Sequence, residues 1–151
     1  MNVGDAMTLM FEIHPNQGAG SLSFGDSPAN TIRKVGQPRK EGKTPGGRFE
    51  QRFDDFALRF TGSPLQLTEM TFWPNADLRW RGRSLFGDPS TFRAVLADDG
   101  NPLEDVGFVM AMRLGIAFTG FHDNDQTQLA VTVFAPGTWD HLCLDAQPFI
   151  G

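Results

Sequence analysis

Two stretches of the chain carry nearly the same string: SFGDSPANTIRKVGQP at Ser23–Pro38 and LFGDPSTFRAVLADDGNP at Leu85–Pro102. Each runs Phe-Gly-Asp, a proline, a short apolar-periodic segment and a Gly-x-Pro end. The match continues downstream, with LRFTG (Leu58–Gly62) against IAFTG (Ile116–Gly120) and LTEMTFWP (Leu67–Pro74) against LAVTVFAP (Leu129–Pro136). Matched landmarks in one order, roughly 60 residues apart, predict a duplicated unit, and neither period nor order fits the familiar solenoids.

Local signals place a short helix in each copy. In the first, Ser27 is a good N-cap, Pro28 takes the first helical position, Ile32 and Val35 form an apolar stripe, and Gly36 ends the helix in left-handed geometry. In the second, Asp88 caps, Pro89 opens, Phe92, Val95 and Leu96 make the i, i+3, i+4 face, and Gly100 closes. Both are too short to stand without packing on something.

Alternating patterns predict the strands. Met7–Ile13 reads as the first, and Phe56, Leu58 and Phe60 share one face of the next clear strand. LQLTEMTFWP and ADLRWRG follow. VMAMRLGIAFTG reads as one long strand with Met110, Met112, Leu114, Ile116 and Phe118 on a face, and Leu129, Val131 and Val133 share a face later. The basic, glycine-rich stretch Arg33–Arg52 fits a mobile hairpin or loop. The predicted fold is α+β: one domain over residues 1–151, with internal repeats at approximately 20–80 and 82–145. The copies share one sheet, with helices on one face and the opposite face left open.

Composition bounds the class. Forty per cent apolar residues and 14 Phe supply a core in a chain of 151 residues. The single cysteine, Cys143, allows no internal disulfide and supplies too few thiols for a structural zinc site; it is expected as a small core hydrophobe. The first residues carry Asp5 and Glu12, and their apolar run is broken by Thr8, which suits a strand better than a signal peptide. No apolar run reaches membrane-spanning length. The expectation is a cytoplasmic protein with no membrane partner.

Charge is unevenly spread. Net charge is −5, yet residues 1–93 hold 12 Lys/Arg against 10 Asp/Glu, whereas residues 94–151 hold only Arg113 against eight acids. An acidic half of this kind repels nucleic acid and attracts a cationic partner.

Catalytic signatures are weak. FHDND sets His122 beside Asp123 and Asp125, which suits a turn, and WDHLC sets Asp140, His141 and Cys143 together. Neither has the i, i+4 or C-x-x-C spacing that prepares a metal site. His141 and Cys143 on an extended segment would share a face without a third, orienting group. No G-x-S-x-G, H-E-x-x-H or P-loop string occurs, and GAGSLSFG reads as a turn. No catalytic residue, cofactor or metal ligand is therefore expected. Of Trp73, Trp80 and Trp139, most are expected in the core and one at a partner surface.

The segment IHPNQGAGSLSFGDSPANTIRKVGQP resembles a group of small bacterial proteins that open with Pro-x-x-Gly-x-Gly, Phe-Gly-x-Ser and a short helix ending in Leu- or Val-Gly-x-Pro. FDDFALRF, a second LFG helix and DVGFVMAMRLGIAFTG continue the likeness over most of the chain. Several such proteins look like immunity proteins encoded beside toxins. The duplicated unit is also similar, in architecture alone, to the tandem repeat of β-lactamase inhibitor proteins, though without their disulfides and export signal. Both resemblances imply toxin inhibition.

The expected function is thus a non-enzymatic immunity protein that blocks the active or substrate surface of a cognate, basic-surfaced toxin. Trp80, Asp98, Asp99, Phe121, His122, Asp123, Asp125, Trp139 and Asp140 are the candidate partner-binding residues: carboxylates speed the encounter and one or two aromatics anchor it. The alternative is a small-molecule-binding module with an apolar pocket between sheet and helices. A third reading is an enzyme using His122, Asp123 and His141.

Overall fold

The computed structural model describes residues 9–143 and 145–150. The Met7–Thr8 part of the predicted first strand lies outside them, as does the Cys143 side chain. The chain opens with strand β1 (Met10–His14) and a tight hairpin of β2 (Gly18–Ala19) and β3 (Leu22–Ser23). Helix α1 (Pro28–Val35) leads into a four-strand meander: β4 (Lys40–Lys43), β5 (Phe49–Arg52), β6 (Phe56–Thr61) and β7 (Gln66–Phe72). The same order then runs again. A hairpin of β8 (Asp77–Trp80) and β9 (Arg83–Ser84) is followed by helix α2 (Pro89–Asp99). The second meander comprises β10 (Leu103–Asp105), β11 (Phe108–Ala111), β12 (Ile116–Thr119) and β13 (Ala130–Phe134), and β14 (Gln147–Pro148) ends it.

The expectation of a balanced α+β fold, a single sheet covered on one face by helices, is overturned: the fold is mostly β, and a second sheet takes the centre of that face. Among the described residues, 14 strands stand against two α-helices, and the strands form two sheets. Both meanders build a nine-stranded sheet in the order β14-β10-β11-β12-β13-β7-β6-β5-β4; the short hairpins and β1 form a separate five-stranded sheet, β3-β2-β1-β8-β9. The physical reason is a parallel pairing of β1 with β8, Phe11 opposite Leu78, between segments remote in sequence. Alternation in ADLRW identifies a strand; it cannot say which sheet the strand joins.

The small sheet packs on the centre of the large one. Phe11 of β1 meets Phe56 of β6 at 5.0 Å and Phe72 of β7 at 4.9 Å between ring centroids. The helices cover the same inner face to either side. Phe92 of α2 lies edge-on to Phe118 of β12 at 4.9 Å, with Val95 buried beside it. Helix α1 differs from its expectation: Ser27 caps as predicted, accepting from the Asn30 amide, but Ile32 and Val35 are half-buried and the buried residue is Thr31. Its hydroxyl donates to buried Gln51 of β5 at 2.6 Å, and Gln51 donates back to the Pro28 carbonyl at 3.0 Å. A buried glutamine is tolerable only because these partners satisfy it.

The two meanders meet through their last strands. β7 and β13 run antiparallel, with Thr71 opposite Thr132 and their hydroxyls 3.0 Å apart. The sequence match of LTEMTFWP to LAVTVFAP slips here by one residue. It sets Glu69 against Val131, yet Val131 joins the inner core while Glu69 bonds outer-face partners. A bulge where β7 passes Arg59 and Phe60 of β6 leaves Thr68 unmatched. Beyond it, Met70 corresponds to Val131, Thr71 to Thr132 and Phe72 to Val133, which restores the alternation on both strands.

A second correction concerns VMAMRLGIAFTG. It is a hairpin, not one strand: β11 ends at Ala111 and β12 begins at Ile116. Gly115 turns the chain at φ 72°, and a Cβ there would sit 2.6 Å from the Phe134 carbonyl oxygen. Met110 consequently faces outward, whereas Ile116 and Phe118 face the inner core.

Candidate partner-binding surface

The nine candidate residues fall in three separate places. Trp80, Asp98 and Asp99 join the small sheet to α2. Trp80 is 2 % exposed, and its indole N–H donates to Asp98 at 2.7 Å. Arg81 reaches the same carboxylate at 3.0 Å and lies over the Trp80 ring. Asp99 is equally buried and accepts the backbone amides of Asn101 and Arg113, so it holds the exit of α2. These contacts are intramolecular latches.

The indole hydrogen bond, then the Arg81 contact, holds the Asp98 carboxyl below the ordinary aspartate range. A depressed folded value means that the contribution to stability is present above the unfolded value near 4 and is lost as pH falls through the folded one. Asp98→Asn is expected to lower the melting temperature at neutral pH and to flatten its decline on acidification below about pH 4. An unchanged decline in thermal melts would remove Asp98 from the acid response.

The second place is the loop between β12 and β13. Phe121 points inward, stacked on Phe92 at 5.3 Å and edge-on to Phe118 at 5.3 Å. Asp123 and Asp125 perform turn chemistry: Asp123 accepts the Asp125 amide, and Asp125 caps the short 3-10 turn Gln126–Gln128 through Thr127. The third place is the opposite, outer face of the large sheet, where Trp139 stacks on Phe134 at 4.9 Å and donates to Glu69 at 2.9 Å. Asp140 stands exposed beside it, as does His141.

The outer face is therefore not bare. The strap carrying Trp139 covers Met110, Ala117 and Phe134 in the second half. In the first half Arg59 bridges Glu50 and Glu69, and Arg48 also reaches Glu69. Every carboxylate in this network has a cation against it.

The acidic edge of the sheet is different. Glu104, Asp105, Val106, Phe108, His122 and Asp145 line an open groove of about 380 Å³. None of the nine ion pairs among the described residues uses Glu104, Asp105, Asp123, Asp140 or Asp145. His122 joins this groove and rests edge-on against Phe149, with Nδ1 buried and without a hydrogen-bond partner among the described residues. His141 is not among the lining residues, so the expected trio of His122, Asp123 and His141 is not gathered there.

Val106 is the residue that sequence reasoning passed over. With Gly107 it forms the two-residue loop of the β10–β11 hairpin, at φ 47° and 86° respectively. Positive φ at both positions is the geometry that Asn-Gly or Asp-Gly favours. A β-branched residue there is strained, by about 1–2 kcal/mol. It is also 87 % exposed, so no burial offsets the strain. The signal was present in EDVGF, a glycine-second turn between short strands, but valine at its first position looks unremarkable until φ is known.

No protein-family model, curated protein or solved structure matches the chain. No helix among the described residues is long and apolar enough to cross a membrane.

Proposed function

We propose that the chain is an immunity-type binding protein that neutralises a bacterial toxin by occupying its active or substrate-binding surface. The observation that carries this reading is Val106: strained, almost fully exposed, and set among carboxylates that enter none of the nine ion pairs among the described residues. Strain held at an exposed apolar tip suits a contact that a partner completes. Uncompensated carboxylates around it favour a cationic surface and accelerate encounter at low salt. The docking element is thus the β10–β11 tip and its groove, with His122 retained from the expected set and Trp80 and Asp99 serving the scaffold.

The small-molecule alternative has less behind it. The cleft beside Phe11, Phe53 and Phe56 is lined as much by Arg39, Asp54, Asp55 and Asp77 as by apolar groups, and its volume of about 260 Å³ is just under the range usual for drug-sized ligands.

The test is growth rescue by co-expression with the product of the neighbouring gene, which this reading expects to be a toxin. Val106→Asn should raise the melting temperature by about 2–4 °C through relief of strain, yet weaken toxin binding at least tenfold by calorimetry. Glu104→Lys with Asp105→Lys should abolish rescue. Turnover of a substrate that disappears in His122→Ala would overturn the non-enzymatic reading.

A further inference from the structure

The first hairpin of each meander has gone a different way. The β10–β11 hairpin presents an apolar knob, Val106, beside Glu104 and Asp105. Its counterpart, β4–β5, lies at the far edge of the nine-stranded sheet and carries Lys40, Lys43, Arg48 and Arg52. Beside that hairpin is a cleft of about 330 Å³ walled by Phe49, Phe60 and Leu65, with Lys43 and Arg48 on its rim. Knob and cleft match in both chemistries. One is apolar and flanked by acids, the other apolar and rimmed by cations.

We propose that copies of this chain associate head to tail, Val106 of one entering the Phe49–Phe60–Leu65 cleft of the next. Lys43 on the cleft rim, like Lys40 further along β4, belongs to none of the nine ion pairs among the described residues, so the Lys43 charge is available across such a contact. The same lysines oppose the competing arrangement. Two β4 edges pairing antiparallel would bring like charges together, whereas the acidic hairpin is attracted. A contact between unlike surfaces leaves a free knob at one end and a free cleft at the other, so association is open-ended. This goes beyond toxin binding but occupies the same tip, so assembled copies would hold it back from a toxin.

Sedimentation velocity on the purified chain tests this between about 10 µM and 1 mM, at ionic strengths of about 0.02 M and 0.5 M. At low salt the mean mass should rise above 16.7 kDa with concentration and return to 16.7 kDa at high salt. Val106→Asn removes the knob and Leu65→Trp fills the cleft; each should weaken association at least tenfold. Mixed, each variant supplies the half the other lacks, and a dimer that grows no further should form. Lys43→Glu replaces Leu65→Trp if circular dichroism finds the latter unfolded. A wild-type chain that stays monomeric throughout, association undiminished in Val106→Asn, or a mixture that forms no dimer would each overturn the proposal. So would a monomeric chain that takes up a glutamate-rich peptide at the cleft, which would assign the cleft to a foreign acidic partner. Growth rescue retained without self-association rejects this proposal alone, and self-association without rescue rejects only the toxin reading.

Discussion

Trp139→Ala should lower the free energy of unfolding by about 3–5 kcal/mol, read from urea denaturation, because it removes the ring that caps the outer-face cluster of Phe134, Phe108 and Met110. The indole is 7 % exposed, parallel to Phe134 at 4.9 Å and edge-on to Phe108 at 5.2 Å. These rings, with Met110 and Ala117, form a cluster that the sheet itself separates from the main core. The main core cannot close over the vacancy from the other side, which puts the cost toward the upper end. Trp139→Phe separates the two contributions. It keeps most of the apolar contact and loses the N–H donated to Glu69, where Arg48 and Arg59 remain as partners, so its cost should be about 1–2 kcal/mol. Equal losses in the two variants would mean that the hydrogen bond, and not the packing, holds the strap.

Phe92→Ala should cost a similar 3–5 kcal/mol, by a different route. Phe92 is the point at which α2 enters the inner core: edge-on to Phe118 at 4.9 Å, stacked on Phe121 at 5.3 Å and close to Phe149 at 6.5 Å. Losing the ring removes the contact that three separate segments share. An 11-residue helix has little independent stability, so the effect should spread along it. Amide exchange is the sharper readout. Protection should fall across Pro89–Asp99 in Phe92→Ala but not in Phe92→Leu, which conserves apolar volume and should cost under about 1.5 kcal/mol. Undiminished protection in Phe92→Ala would show that Val95 and Leu96 suffice to dock the helix.

Local chemistry was legible residue by residue. Ser27 and Asp88 cap their helices, Gly100 ends α2 in left-handed geometry, and Phe56, Leu58 and Phe60 face one core. Gly36 ends α1 too, at a positive φ of 100°, but its ψ of −176° lies outside the left-handed helical well expected for it. Such features depend on neighbours within a few residues, so the string contains them whole. The site was legible only as a charge imbalance. Sequence located the acids in the second half but not how they are paired: Asp98 meets Arg81, while Glu104 enters none of the nine ion pairs among the described residues.

By itself, then, the amino-acid string determined the strands with alternating apolar residues, both helices with their caps, the repeated order of landmarks and the acidic half. Tertiary structure decided the rest: that β1 crosses to β8 and makes a second sheet, that Thr68 bulges out of the repeat's register, that Trp139 folds over the outer face, and that Val106 sits strained in the open. The division has one physical cause. Periodicity and capping are set by short-range sterics and hydrogen bonding, whereas sheet membership, register and side-chain exposure follow from contacts between segments far apart in the chain, which no local pattern encodes.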